Sequence, residues 1–218
     1  MDAVYFYKKS SRGELEISVG LLKKFYKELG TVWVIGDTPP ASIENEVVHI
    51  EHSSQLNKYE DQMSKFAMIV RQQDISDNFL LMMDDIFLLS EYRPIIYRDA
   101  RYPSLQSRAE SRPQDLYRES IENTIDSLAE NGLPTFNYEL HVPIPFNKHK
   151  AIVMTNNLIG ESANMQIRSL YYNFYPMDAI NAVARYDVKD IRRSEISDIL
   201  STSDTKFRNY KSLLQRFL

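Results

Sequence analysis

The first half of the chain alternates short apolar runs with longer stretches in which apolar residues recur every three or four positions. Four short runs are rich in residues that favour strands: residues 3–7, 31–35, 47–50 and 79–83. Helical spacing is found over residues 15–29 and 56–70. The order strand, helix, strand, strand, helix, strand predicts a mostly parallel sheet covered by helices. The fourth run is continuously apolar, so we expect it near the centre of the sheet.

Local signals predict where the first helix begins and ends. Ser11 is followed three residues later by Glu14, which is the spacing of a capping box. Gly30 follows the last residue of the helical repeat and is typical of a C-terminal stop. The sequence therefore predicts a helix that lies between Ser11 and Gly30.

The pattern changes after Leu89, where residues 91–112 combine arginine and tyrosine with few apolar positions. A stretch of that length without periodicity is typical of a functional or mobile loop. A helix then follows, with Pro113 in its first turn and Gly132 at its end. Beyond it we expect helices near residues 162–174, 194–201 and 204–217, and a short strand over residues 184–188. No repeat or linker divides the chain, which predicts one α/β domain over residues 1–218 with a helical C-terminal third.

Composition narrows the class of protein. With 43% hydrophobic and 26% charged residues, the 218-residue chain is typical of a soluble globular protein. No apolar stretch approaches the roughly 18 residues of a membrane helix, and no signal peptide is evident, so we expect a cytoplasmic protein without a membrane span. The sequence contains no cysteine and four histidines, so any bound metal must be held by oxygen or imidazole. The net charge of −4 gives no general attraction to nucleic acid.

The strongest chemical signal is a pair of carboxylates inside an apolar run. Asp84 and Asp85 interrupt residues 79–89, which are otherwise apolar. Burying an ionised carboxylate is costly unless it is paired or coordinated, and two neighbours also repel each other. A divalent cation such as Mg²⁺ or Mn²⁺ removes both penalties, and at the end of a central strand it would face the crevice where α/β sheets bind ligands. The alternative is that one aspartate caps a turn and the other is solvated.

A second signal is His141, which is followed closely by Pro143 and Pro145. The prolines hold the backbone extended and rigid, so the histidine is kept in a defined position. Its unperturbed pKa lies near neutrality, which suits a metal ligand, a general base or a phosphate partner. The alternative is a histidine that binds a backbone carbonyl in a tight turn.

A third segment, residues 162–175, places donor side chains ahead of an aromatic-rich helix. Asn164, Gln166 and Arg168 lie near the predicted helix start, where anions are favoured. The aromatic residues that follow are typical of core packing. Basic residues also cluster among the tyrosines of residues 92–118 and near the C-terminus, where they suit either phosphate contacts or a solvated surface.

Taken in order, these segments resemble the Stealth family of bacterial capsule phosphotransferases, which has a GT-A-like, Rossmann-like fold. Residues 14–40 resemble the family's early helix, strand and aspartate-containing turn. Residues 79–88 resemble its Asn-Asp-Asp strand, with Met83 in place of the asparagine. The tripeptide at 141–143 resembles its His-x-Pro segment, and the one at 164–166 resembles its Asp-Met-Gln helix. Two features of the family are absent from this chain. They are the Trp-Val-Asp-Gly continuation at the first strand, where this chain opens with residues 2–5, and the arginine that precedes the Asp-Met-Gln helix.

The resemblance implies a nucleotide-diphosphate sugar as the donor, with a UDP-sugar favoured. It implies that Asp84, Asp85 and His141 hold Mn²⁺ or Mg²⁺, and that His141 and Asp85 take part in catalysis. Donor contacts are then expected from Asp37, Asp84, Gln166 and Arg168. Residues 1–90 would form the nucleotide-sugar-binding part, residues 91–112 a mobile loop, and residues 113–218 the acceptor-binding, helical part.

The expected activity is metal-dependent transfer of a sugar to an acceptor glycan. Three alternatives stay open. The first is Stealth-like transfer of a sugar 1-phosphate, and the second is a phage-type glycosyltransferase that acts on modified DNA bases through the basic C-terminal segment. The third is a non-catalytic protein that binds nucleotide sugars, because a fold does not fix a function.

Overall fold

The structure is a computed structural model that describes residues 1–9, 12–53, 57–158, 163–182, 198–203 and 206–218. Its strands are β1 (Asp2–Tyr7), β2 (Val32–Gly36), β3 (Val48–Glu51), β4 (Asn78–Met82), β5 (Ile86–Leu88), β6 (Tyr97–Asp99), β7 (Ile144–Asn147), β8 (Ile180–Ala182) and β9 (Ile199–Ser201). Its helices are α1 (Glu14–Phe25), α2 (Lys58–Val70), α3 (Leu105–Glu110), α4 (Leu116–Glu130), α5 (Lys148–Leu158), α6 (Ile167–Phe174) and α7 (Phe207–Leu214). Within the described ranges, every helix is too short or too polar to span a lipid bilayer.

Five strands form the central sheet in the order β3-β2-β1-β4-β7. The first four are parallel, and β7 runs antiparallel to β4. All of β1 is buried at the centre, which explains its continuous apolar sequence. β7 is an edge strand and tolerates Pro145, which has no N–H to donate. The predicted mostly parallel α/β sheet is therefore confirmed, although β1 rather than β4 is the central strand.

Alternate residues of each strand point to opposite faces of the sheet, and helices cover both faces. On one face, Val4 and Phe6 of β1 pack in a core with residues of α2, α4, α5 and α6. On the other face, Ala3 and Tyr5 pack in a core with residues of α1. The sheet is thus the middle layer of three, and its strand ends lie between two helical layers.

A small second sheet joins the C-terminal part of the chain to the first helix. β5 pairs antiparallel with β9, and their register sets Ile86 opposite Ser201. Phe207 of α7 stacks on Phe87 of β5, with 5.8 Å between ring centroids, and apolar residues of α1 complete this cluster. The pairing brings the end of β9 to the turn between β4 and β5.

The predicted ends of the first helix are wrong. α1 begins after Gly13, which has a φ of 90° and provides no side-chain cap, and Ser11 lies outside the described residues. The helix ends at Phe25, because the next residue adopts an extended backbone (φ −107°, ψ 96°). Gly30 lies beyond the helix, where its N–H donates to the carbonyl of Met1 at 2.9 Å. Gly30 therefore belongs to the approach to β2 rather than to the helix end.

The second half of the chain departs further from the predicted pattern. Residues 91–112 are not a plain loop, because they contain β6 and α3. The periodicity does not predict α5, and residues 199–201, predicted as helical, form β9. The helices predicted at 162–174 and 204–217 are confirmed as α6 and α7 over shorter ranges. The strand predicted over residues 184–188 lies outside the described residues.

Candidate functional site

The carboxyl ends of β1, β2 and β4 lie at one edge of the sheet, which is where parallel α/β sheets bind ligands. Asp84 and Asp85 form the turn that joins β4 to β5 at this edge. A hydrogen bond from the Ile86 N–H to the Met83 carbonyl, at 3.2 Å, closes the turn. Both aspartates are partly buried, so the structure places them at the end of a buried strand, as the apolar run predicts.

Asp85 and His141 meet at this turn. The Nδ1 atom of His141 lies 3.4 Å from Asp85 Oδ2 and 3.1 Å from Ser201 Oγ. The other carboxylate oxygen, Asp85 Oδ1, is buried and accepts no hydrogen bond from any residue that the structure describes. Leaving such an atom without a partner costs about 1–3 kcal/mol. Oδ1 can therefore take a cation or a hydrogen-bond donor that the described residues do not supply.

The three side chains do not form a nucleophilic relay. In a serine–histidine–acid relay the serine and the acid contact opposite ring nitrogens, whereas Ser201 and Asp85 both contact Nδ1 of His141. With Nδ1 protonated, the ring donates to Asp85 and the other ring nitrogen becomes a proton acceptor. With Nδ1 unprotonated, the ring and the carboxylate can coordinate one ion together.

The side chains at this turn suit a Mn²⁺ or Mg²⁺ site in which the protein supplies only a few of the ligands. An imidazole nitrogen and a carboxylate oxygen that could hold one ion are already neighbours, with 3.4 Å between His141 Nδ1 and Asp85 Oδ2. In the part of the chain that the structure describes, no three histidine or acidic side chains are grouped as a metal site. Mg²⁺ is commonly held by one or two carboxylates together with water and substrate phosphates. The structure thus brings Asp85 and His141 together, with Asp84 as the adjacent carboxylate.

Asp84 has a different electrostatic neighbour, the buried phenol of Tyr5 on β1. Burial raises the pKa of Tyr5, the hydrogen bond with Ser18 opposes that rise, and the charge of Asp84 adds to it. The Tyr5 hydroxyl and the Ser18 hydroxyl are 3.0 Å apart, and Ser18 donates to the carbonyl of Ile86 at 2.6 Å. This chain of hydrogen bonds ties the aspartate turn to β1 and α1.

A cavity of about 400 Å³ opens beside His141, where α2, α4 and α6 approach the end of β4. Its wall is rich in basic side chains, namely Lys58, Arg108, Arg112 and Arg168, and also includes the carboxylate of Glu139. Met83, which precedes the aspartate pair, lines the same cavity. We call this space the cationic cavity. It connects the aspartate turn with the three helices on that face.

Gln166 and Arg168, which are both predicted to contact the nucleotide-sugar donor, line the cationic cavity. Arg168 is only 5% exposed, and its Nη1 donates to the Leu140 carbonyl at 2.6 Å. Its Nη2 is buried and donates to no described residue. The amide of Gln166 donates to Ser120 Oγ at 2.5 Å, and its backbone N–H donates to Thr124 Oγ1 at 2.8 Å. Gln166 is therefore hydrogen-bonded to α4, whereas the Nη2 atom of Arg168 has no described acceptor.

Two tyrosines form the aromatic part of the cavity wall. The rings of Tyr59 and Tyr117 stack with 5.8 Å between their centroids. The guanidinium groups of Arg108 and Arg112 lie 5.4 and 5.1 Å from the centroid of the Tyr117 ring. Burial raises the pKa of both phenols, so both stay neutral at physiological pH and can donate hydrogen bonds.

Sequence reasoning finds only part of this site. The interleaved arginines and tyrosines of residues 92–118 are a visible signal, and they supply Arg108, Arg112 and Tyr117. Nothing in the sequence marks Lys58 or Ser201. Lys58 only opens an amphipathic helix, and Ser201 reaches the site through the pairing of β9 with β5.

Asp37 lies at the end of β2, beside a second cavity. Its carboxylate accepts a hydrogen bond from the Lys9 N–H at 2.7 Å, which holds the segment after β1 against the end of β2. The second cavity, of about 340 Å³, is lined by residues that include Lys9, Arg12, Glu16, Thr38, Pro39 and Lys211. Asp37 itself does not line this cavity, but its hydrogen bond holds Lys9, which does.

The sheet order and the flanking helices define an α/β chain with a GT-A-like fold. The galactosyltransferase LgtC, solved in complex with donor and acceptor sugar analogues, matches 100% of this chain and 94% of its own with a TM-score of 0.50 and 10% sequence identity. A 4-diphosphocytidyl-2C-methyl-D-erythritol synthase matches 98% of this chain and 97% of its own with a TM-score of 0.43 and 10% identity. No protein-family model and no curated protein sequence matches the chain. At this identity the likeness to LgtC shows the fold alone.

Proposed function

We propose that this protein is a metal-dependent glycosyltransferase that moves a sugar from a nucleotide-diphosphate sugar, with a UDP-sugar favoured, to an acceptor. The observation that carries the proposal is the buried Asp85 Oδ1 without a described partner, in a carboxylate–imidazole pair at the ligand-binding edge of a GT-A-like sheet. A hard divalent cation is a partner that such an oxygen prefers.

Asp85 and His141 would hold Mn²⁺ or Mg²⁺, with Asp84 as the adjacent carboxylate. When bound, the ion stabilises the negative charge that develops on the departing nucleoside diphosphate. The basic cavity beside Asp37 suits the nucleotide part of the donor, since Lys9, Arg12 and Lys211 favour anions there. The cationic cavity, which His141 lines, would take the acceptor.

A second role proposed for His141 is that of the general base, which accepts a proton from the acceptor hydroxyl. Its described contacts with Asp85 and Ser201 both involve Nδ1, which fixes the orientation of the ring. When Nδ1 carries the proton and donates it to Asp85, the basic lone pair of the ring is on Nε2, which is the nitrogen that would accept the proton. The two roles differ in whether Nδ1 carries a proton.

A Stealth-like transfer of a sugar 1-phosphate is the second candidate. Two of the segments that resemble the family support it, because they meet at one cavity. Gln166 and Arg168 from the later segment line the same cavity as His141 from the earlier one. Glycosyl transfer breaks the bond between the anomeric carbon and the diphosphate and releases a nucleoside diphosphate. Sugar-phosphate transfer breaks the diphosphate itself and releases a nucleoside monophosphate. Mass analysis of the released nucleotide distinguishes the two.

A thermal-shift screen of nucleotide sugars, in Mn²⁺ or in EDTA, tests the proposal. A donor at about 100 times its Kd stabilises the native protein by about 2.7 kcal/mol, so we expect the midpoint to rise by about 5–10 °C in Mn²⁺ only. Asp85→Asn should abolish this rise while the protein stays folded, since the side chains have the same shape. Asp74→Asn, at an exposed carboxylate before β4, is the matched control and should retain it.

Three outcomes separate the hypotheses. A donor-induced rise that persists in EDTA, or in Asp85→Asn, contradicts the metal site. A metal-dependent rise without release of nucleotide in the presence of candidate acceptors indicates a binding protein rather than a transferase. Release of a nucleoside monophosphate selects sugar-phosphate transfer.

A further inference from the structure

The cationic cavity carries more positive charge than a neutral sugar acceptor needs. Hydroxyl groups are bound well by neutral amides, hydroxyls and carboxylates, which cost less to bury than a group of cations. Here the basic residues come from separate elements, with Lys58 at the start of α2, Arg108 in α3 and Arg168 in α6. Glu139 in the wall and Asp115 beside Arg112 offset part of the repulsion among these cations, and the rest falls to a bound anion or to solvent.

Arg168 gives the clearest indication of a missing anion. Its side chain is more than nine-tenths buried, and its one described hydrogen bond is from Nη1 to the Leu140 carbonyl. Its Nη2 is buried without a described acceptor, and no described carboxylate forms an ion pair with it. A buried guanidinium is normally paired or hydrogen-bonded on both nitrogens. The second nitrogen therefore needs an acceptor that the described residues do not supply.

Arg112 also lines the cavity and has one buried donor atom, although its side chain is 37% exposed. Its Nε is buried without a described acceptor, while its Nη2 lies 3.4 Å from Asp115 Oδ2. Its guanidinium lies 5.1 Å from the centroid of the Tyr117 ring, which fixes its position. The neutral phenols of Tyr59 and Tyr117 add hydroxyl donors on the same side. Two held guanidinium groups with unused donors are the groups that proteins use to bind phosphate.

The cationic cavity is separate from the cavity proposed for the nucleotide part of the donor. The basic cavity beside Asp37 includes Tyr7 at the end of β1 and Glu16 in α1, whereas the cationic cavity is lined by residues of α2, α4 and α6. His141 lines the cationic cavity and contacts Asp85. An anion in the cationic cavity would therefore lie on the acceptor side of His141.

We propose that the cationic cavity binds the phosphate monoester of a phosphorylated sugar, with Arg168 and Arg112 as the principal phosphate ligands. A volume of about 400 Å³ lies within the range of small-molecule sites. The inference rests on the proposed function in one respect: it makes this phosphorylated sugar the acceptor. The binding itself needs neither donor nor metal, because the arginines supply the charge.

Calorimetric titration with glucose 6-phosphate, inorganic phosphate and glucose, in EDTA and at constant ionic strength, tests the proposal. Wild-type protein should bind the two phosphate compounds and not glucose. Arg112→Gln should weaken glucose 6-phosphate binding by about tenfold or more, which is the usual effect of losing one charge-assisted hydrogen bond. Arg101→Gln is the matched control, because Arg101 is a 45% exposed arginine of the same segment that does not line the cavity.

Arg168→Lys provides a second, sharper variant. Lysine keeps the charge and one donor for the Leu140 carbonyl, so the fold should be retained, but it has no second nitrogen for the ligand. We expect a loss of affinity comparable to that of Arg112→Gln with an unchanged thermal midpoint in the absence of phosphate.

Absence of phosphate-dependent binding in EDTA would overturn the inference, as would equal affinity in wild type and both arginine variants. Binding that requires Mn²⁺ and is lost in Asp85→Asn would assign the phosphate to the donor site instead. Each of these results leaves the donor screen unaffected, so failure of this inference can be told apart from failure of the proposed transferase activity.

Discussion

At the scale of single residues, two glycines show how similar contacts have opposite consequences. A Cβ atom on Gly30 would lie 2.4 Å from Asp2 Oδ1, and one on Gly20 would lie 2.5 Å from Leu218 Cδ2. The Asp2 carboxylate is held by several donors, among them the Thr31 N–H at 2.9 Å, and has no room to move. Leu218 is 53% exposed, and its side chain can rotate away.

We therefore expect Gly30→Ala and Gly20→Ala to change stability in opposite directions. Gly30→Ala should lower the free energy of unfolding by about 1–3 kcal/mol, as overpacking does. Gly20→Ala lies inside α1 and should raise it by about 0.5–1 kcal/mol through helix propensity. Urea denaturation of the two variants beside wild type measures both values. Similar losses in both variants would contradict the distinction between a fixed and a movable neighbour.

Only some of the residues that form the site can be predicted from the sequence. The cost of burying Asp84 and Asp85 is visible in the apolar run around them, and the prolines after His141 indicate a fixed histidine. The contact between Asp85 and His141 joins two distant segments, so no local pattern predicts it. The contact between Ser201 and His141 is not predicted by any local pattern either, because Ser201 lies in β9 and reaches His141 through the pairing of β9 with β5.

At the scale of elements, Lys148 joins the start of α5 to the end of α2. Its side chain is buried, and its Nζ donates to the carbonyls of Gln72, Gln73 and Ile75 at 3.3, 3.4 and 2.6 Å. These carbonyls follow the C-terminus of α2, where the partial negative charge of the helix also favours a cation. One ammonium group thus satisfies the acceptors of the turn between α2 and β4.

Lys148→Met should consequently destabilise the protein by about 2–4 kcal/mol, because the buried Ile75 carbonyl and two partly buried carbonyls lose a charged donor. Lys150→Met is the matched control, since Lys150 is exposed on the same helix, and it should change stability by less than about 0.5 kcal/mol. Denaturant titration gives both values. If the two variants unfold at the same urea concentration, Lys148 does not have the anchoring role described.

The elements that the sequence pattern misses have physical reasons for being missed. The buried face of α5 carries only a weak apolar stripe, because Lys148 and Thr155 interrupt it and the apolar Val153 lies on the exposed face. The segment of β7 contains Pro145, which favours a loop interpretation over a strand, and only its edge position makes the strand possible. By contrast, β1 to β4 are buried and apolar enough for local patterning to suffice, apart from the more exposed β3.

At the scale of the whole molecule, the parallel core is predictable and its additions are not. The order of strands and helices in the first half determines a sheet with its ligand edge at the carboxyl ends. The pairs β5–β9 and β6–β8 depend on contacts between distant segments, and the first of them brings Ser201 to His141. The sheet edge could therefore be predicted from sequence, whereas the cationic cavity required the full fold.

Asp2 connects three parts of the molecule at the opposite edge of the sheet. Its carboxylate accepts hydrogen bonds from the Thr31 N–H at 2.9 Å, Trp33 Nε1 at 3.1 Å and the Ser76 N–H at 3.0 Å. Burial by itself would raise the pKa of Asp2, but the hydrogen bonds from Ser76, Thr31 and Trp33 outweigh it and lower the pKa. The ionised carboxylate thus holds together the beginnings of β1 and β2 and the segment before β4.

This arrangement makes global stability depend on pH in a predictable direction. Because the pKa of Asp2 is lower in the folded protein than in the unfolded chain, where it is about 3.9, its contribution is fully present above that value and disappears as pH falls through the folded pKa. Asp2→Asn cannot ionise and turns an amide toward these donors, so it should be less stable than wild type by about 2–3 kcal/mol at pH 7. Urea denaturation of both proteins from pH 7 to pH 3 should show this difference narrowing below about pH 4. Other carboxylates titrate alike in both proteins and cancel in the comparison. A difference that stays constant down to pH 3 would mean that Asp2 stabilises the strand ends through shape rather than through its charge.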